Sequence, residues 1–126
     1  MAATAQGPAM VHMVATESQE NVRLVDVEGE LEAGAVARWS DLFHGAVEDG
    51  AMGIAVDLRA CRTVPPVCLS VLLATSAALI ARGGAGVRLV TNADSPLGRR
   101  LEALAGNDLP AYPSASEALL SLGDAA

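Results

Sequence analysis

The chain has 126 residues, room for one domain and too few for two. Its net charge is −7 and every basic residue is arginine. It therefore repels phosphate backbones, and it lacks the lysine that a Schiff base, a P-loop or a lysine general base needs. Hydrophobic residues make up 52% and aromatic residues 2%, so the expected core is aliphatic and stacking on nucleobases is nearly excluded.

Cys61 and Cys68 are too few for a disulfide scaffold, and neither His12 nor His44 stands at metal-ligand spacing from them. They read as buried small hydrophobes in a reducing compartment; no metal and no cofactor is expected. No charged n-region precedes an apolar h-region, so the expected location is the cytoplasm. The uncharged run from Val64 to Ala81 is long enough to resemble a membrane span. It opens with Pro65-Pro66, however, contains Ser70, Thr75 and Ser76, and sits between two strand-like runs. It reads as a crossover helix over a sheet, with no direct membrane insertion.

In chain order, residues 1–9 read as a disordered tail and 10–123 as one domain. Met10–Thr16 is a candidate first strand. Asn21–Glu28 alternates apolar and polar residues and predicts a strand ending at Gly29. A helix follows over about 34–49, with Val36, Trp39, Phe43, Ala46 and Val47 as its apolar stripe; Arg38, Asp41, His44 and Glu48 face away. Met52–Leu58 reads as a central strand, with a loop from there to Val64. The next helix starts at Pro65 or Pro66 and runs to Arg82, before Gly83-Gly84. Val87–Thr91 is a strand. Ser95-Pro96 caps a helix with Leu97, Leu101 and Leu104 inward and Gly106 as its stop. Leu109–Tyr112 is a short strand. Ser114 and Glu117 form a capping box for a last helix with Ala118, Leu119 and Leu122 inward and Gly123 as its stop. The order ββαβαβαβα predicts an α/β fold with a mixed sheet of four to five strands and about four helices.

Several strings in that order resemble the STAS family of anti-sigma-factor antagonists. They are Val22–Glu32 (VRLVDVEGELE), Ile54–Leu58 (IAVDL), Arg82-Gly83-Gly84 before Val87–Val90, Leu101–Gly106 (LEALAG) and Ser116–Leu119 (SEAL). The resemblance as a whole spans about Met10 to Leu122. The resemblance implies a STAS-like sheet and a bacterial, non-enzymatic regulatory module for transcription. Its implied partner is an anti-sigma factor or related serine kinase, not nucleic acid; self-association as a homodimer stays open. It also implies an Asp-Ser-Ser-Gly-Leu string opening the second crossover helix, whose first serine accepts phosphate. Counted from Asp57, that string falls on Pro65, Pro66, Val67, Cys68 and Leu69, so Pro66 stands at the phosphosite-equivalent position. Proline has no hydroxyl and cannot be phosphorylated. The resemblance implies a partner-binding edge of Val64, Pro65, Pro66, Val67, Cys68 and Ser70, with Glu30, Glu32 and Ala33 alongside. Two functions fit: a constitutive antagonist-like binding module, or a structural STAS subunit of a lipid transporter or larger signalling assembly.

Other constellations carry less. Ser70 and Thr63 could serve as displaced phosphosites, although a serine inside a helix has a backbone already committed. Ser70, Ala74, Ala77, Ala78 and Ala81 make a small-residue stripe that reads as close packing against a neighbouring helix. Glu28, Glu30 and Glu32 read as solvated acids, Glu30 and Glu32 near a positive helix end. Neither Gly-x-Ser-x-Gly nor Gly-x-Gly-x-x-Gly occurs, so no catalytic residue is assigned.

Overall fold

The computed structural model describes residues 10–16 and 19–125, with side chains described for 21–123. The expected tail at 1–9 lies outside the described residues. The elements are β1 (Met10–Thr16), β2 (Gln19–Glu30), a 3-10 turn (Ala33–Ala35), α1 (Val36–Glu48), β3 (Gly53–Thr63), α2 (Pro66–Ala81), β4 (Gly86–Val90), α3 (Pro96–Ala105), β5 (Ala111–Tyr112) and α4 (Ala115–Ala125). The expected order is borne out. One sheet runs β1-β2-β3-β4-β5, with β1 antiparallel to β2 and the other pairs parallel.

Because each parallel strand lies beside the previous one in a constant direction, right-handed crossovers carry their helices to the same face. There α1, α2 and α3 cover Val25, Val27, Ile54, Val56, Val87 and Leu89, with Trp39, Phe43, Leu72, Leu79 and Leu101 from the helices. α4 follows the last strand and crosses the opposite face, where Ala118 and Leu122 close over Val22, Ala55 and Val90. Strand β3 is buried on both faces from Gly53 to Leu58, which is why that stretch does not alternate in sequence.

The helix starts follow local chemistry. Ser95 Oγ accepts the Gly98 N–H at 2.9 Å, and Ser114 Oγ accepts the Glu117 N–H at 3.2 Å. Gly86 holds φ at 93°, and a Cβ there would come within 2.6 Å of Ser76 Oγ. That hydroxyl accepts the Val87 N–H at 3.0 Å and ties α2 to β4, so this turn takes only glycine.

Five local expectations are corrected. β3 does not end at Leu58: Glu28, Gly29 and Glu30 of β2 pair with Ala60, Cys61 and Thr63 across two register shifts, and this pairing extends the strand through the expected loop. β2 accordingly continues one residue past Gly29. Leu104 is 58% exposed, and Ala105 takes its inward place in α3. The stripe on α2 is exposed at Ser70, Ala74, Ala77, Ala78 and Ala81, because α1 and the sheet cover only the side bearing Cys68, Leu72, Thr75 and Leu79. α4 runs past Gly123 to Ala125, so this glycine does not end the helix.

Candidate functional site: the start of helix α2

Pro65 has φ −63° and ψ 151°, the extended geometry that a following proline imposes, and Pro66 opens α2 at its first position. The Pro65 carbonyl accepts the N–H groups of Cys68 and Leu69 at 2.9 and 3.0 Å. With no N–H on Pro66, this helix start carries few free donors. The turn is fixed from below by α1. Trp39 is buried, donates its indole N–H to the Cys68 carbonyl at 3.0 Å, and meets Phe43 edge-on at 4.8 Å.

The structure divides the expected partner-binding residues. Pro66, Val67 and Ser70 are exposed, Val67 by 42%, and Pro65 is half-buried. Val64 and Cys68 are buried in the core, and Val64 also lines a groove beside Pro66. The second segment does come alongside. The Leu31 N–H reaches the Thr63 carbonyl at 3.3 Å, placing half-buried Glu30 and exposed Glu32 and Ala33 beside the end of β3. Ser70 Oγ donates to the Pro66 carbonyl at 3.1 Å, inside the helix. Thr63 is exposed.

Cys61 and Cys68 are free and buried. Burial pushes both thiols up, and for Cys68 the neighbouring Cys61 adds to the effect. They remain neutral thiols with little nucleophilic character.

The expected strand end at Leu58 would put Asp57 at the close of β3, but the strand runs on to Thr63. Asp57 is the last β3 residue paired with β4, and the strand continues beyond it on β2 alone. Burial raises its carboxyl affinity for protons. The Arg59 side-chain hydrogen bonds, at 3.1 and 2.8 Å, together with the Arg59 backbone N–H at 3.0 Å and the guanidinium charge, outweigh that and hold it below the usual range. Asp57 lines an open cleft with Asp26, Glu28 and Asn92, whose lining does not include Pro65 or Pro66. Among the described residues, no group of three or more His, Cys, Asp or Glu could hold a metal.

A second feature beside Pro66 is a groove of about 240 Å³ between the starts of α2 and α3, lined by Arg62, Pro66, Pro96, Leu97 and Arg100 among others. Sequence reasoning missed both arginines, which stand in different elements with no shared motif. The one available signal was the repeated proline start at Pro66 and Pro96.

A solved anti-sigma factor antagonist from Mycobacterium paratuberculosis is similar to this chain at a TM-score of 0.69 and 26% identity, covering 92% of this chain and 95% of its own. The chain has the STAS fold. The anti-sigma factor antagonist SpoIIAA in its unphosphorylated form shares that fold with a TM-score of 0.69 at 18% identity, over 87% of this chain and 93% of its own. The Bacillus cell fate determinant SpoIIAA in its phosphorylated form matches at 0.63 and 17% identity, over 87% and 96%. No family model and no curated protein matches the sequence. The STAS resemblance read from the sequence is thus borne out in the fold. Among the described residues, no helix is long and apolar enough to cross a membrane.

Proposed function

We propose that this STAS-fold chain is a non-enzymatic, antagonist-like module that binds an anti-sigma factor or related serine kinase constitutively. The observation that carries this reading is the exposed proline at the first position of α2. A phosphoserine there would bring about −1.5 to −2 charges to the docking edge and repel a partner shaped for a neutral surface. Pro66 cannot carry that charge, and Pro65 removes the carboxylate that the family places beside it. The remaining edge of Pro65, Pro66, Val67 and Ser70 is rigid, so little backbone entropy is lost on docking. Buried, neutral thiols are poor nucleophiles, which suits a role without catalysis.

The test is affinity capture with the full chain from its native cell, followed by binding and intact-mass measurements with the captured partner. The expected partner is an anti-sigma factor kinase. It should bind with equal affinity in ATP and in a non-hydrolysable analogue, without adding phosphate to this chain. One added phosphate, at Thr63 or Ser70, with release of the partner would overturn the constitutive reading. A second reading, a structural subunit of a transporter or larger assembly, is favoured by the uncovered apolar side of α2, where Ile80 is 56% exposed. Capture of a permease and its ATPase would select it.

A further inference from the structure

We propose that the groove between the starts of α2 and α3 receives an acidic segment of the partner protein, anchored by one aliphatic side chain. The inference rests on the docking reading of the adjoining edge and names the chemistry that edge would meet.

Three features point to this occupant. First, the groove is a local reversal of charge. The chain carries −7 overall, yet Arg62 and Arg100 both line the groove and no acidic residue does. Neither makes an ion pair or hydrogen bond among the described residues. Arg59, Arg82, Arg88 and Arg99, in contrast, are each tied to an acceptor within the chain. A guanidinium with its fork free is a bidentate receptor for a carboxylate. Second, the floor between the two charges is apolar and stiff. Pro66 and Pro96 each occupy the first helical position, and Leu97 lies beside them. Proline offers no N–H to hydrate and fixes its own φ, so this floor favours an aliphatic side chain and is already ordered. Third, the size is restrictive. About 240 Å³ lies below the roughly 300–1,000 Å³ of small-molecule sites. It suits one side chain of a peptide. Two cations with no aromatic between them are also a poor match for a nucleic-acid backbone in so acidic a chain.

The probe is a random dodecapeptide library displayed on phage, selected against the full chain. Enriched sequences should carry Asp or Glu on both sides of a Leu, Ile, Val or Met. As free fluorescent peptides they should bind more weakly as salt rises, and amide shifts should centre on 62–66 and 96–100. The double variant R62Q/R100Q should lose binding at least tenfold while its thermal unfolding stays at the wild-type temperature. R62K/R100K, which keeps charge without the fork, should fall between. No enrichment, enriched peptides without acids, shifts centred elsewhere, or binding unaffected by R62Q/R100Q would each overturn the proposal. Native-cell capture separates the two ideas. If a kinase is retained equally by wild type and R62Q/R100Q, the groove assignment fails and the antagonist reading stands. If acidic peptides bind the groove but no kinase or anti-sigma factor associates, the antagonist reading fails and the groove assignment stands.

Discussion

Replacing Trp39 with phenylalanine should loosen the start of α2 more than it loosens the rest of the domain. The indole is buried and its N–H donates to the Cys68 carbonyl at 3.0 Å, across 29 positions of sequence. Losing a neutral hydrogen bond of this kind costs about 1 kcal/mol. The phenyl ring is also smaller by roughly 40 Å² of buried surface, which at about 25 cal/mol/Å² costs about another 1 kcal/mol. The sum, about 2 kcal/mol, should lower Tm by roughly 6–10 °C in a domain of this size. Urea unfolding followed by circular dichroism measures the global cost, since the variant has no tryptophan to follow. Amide hydrogen exchange locates it. Protection should fall at residues 67–70 by more than at β3 and β4. Phe43→Leu, one turn along the same helix and without a bond to α2, supplies the control: a comparable global loss of about 1–2 kcal/mol with no excess at α2. If both variants lower protection uniformly, or if Trp39→Phe leaves residues 67–70 as protected as before, then α1 does not hold the turn in place.

Three further outcomes follow from the geometry. Gly86→Ala should cost about 2–4 kcal/mol in urea unfolding, because it combines φ 93° with the approach to Ser76 Oγ; Gly50→Ala, at φ 97° with open space around it, should cost only about 1–2 kcal/mol, and equal costs would remove the close-approach argument. Asp57 has its folded carboxyl pKa depressed, so its contribution is present above the unfolded value near 3.9 and lost as pH falls through the folded value. Asp57→Asn should therefore flatten acid unfolding below about pH 4, by less than about 1 kcal/mol given the partly exposed Arg59, and an unchanged acid limb would argue against it. Cys61 and Cys68, buried and with raised thiol pKa values, should resist a thiol reagent in the native protein and both react in guanidinium; rapid native labelling of either would contradict the packing.

The element order was legible in the sequence, because each element carries its own local signal. The stripe through Trp39, Phe43 and Ala46 set α1, the run over Met52–Leu58, apolar except at Asp57, marked the doubly covered strand, and Ser95-Pro96 and Ser114–Glu117 set two helix starts. Pro66 at the head of α2 was equally readable, since proline at a first helical position depends on backbone chemistry alone. Three other features were settled only by long-range pairing. β3 extends past Asp57 because β2, more than 30 residues earlier in the chain, offers it a partner, and no local pattern at Arg59–Thr63 reports that neighbour. The outer side of α2 is uncovered although its composition reads as buried. A helix apolar all round has no moment from which to tell which side meets the sheet, so coverage depends on where α1 and the strands lie. Arg62 and Arg100 meet at one groove only because two right-handed crossovers bring the starts of α2 and α3 to the same end of the sheet. Backbone propensity and hydrophobic period act over a few residues, whereas burial and charge convergence are set by which distant segments the sheet places side by side.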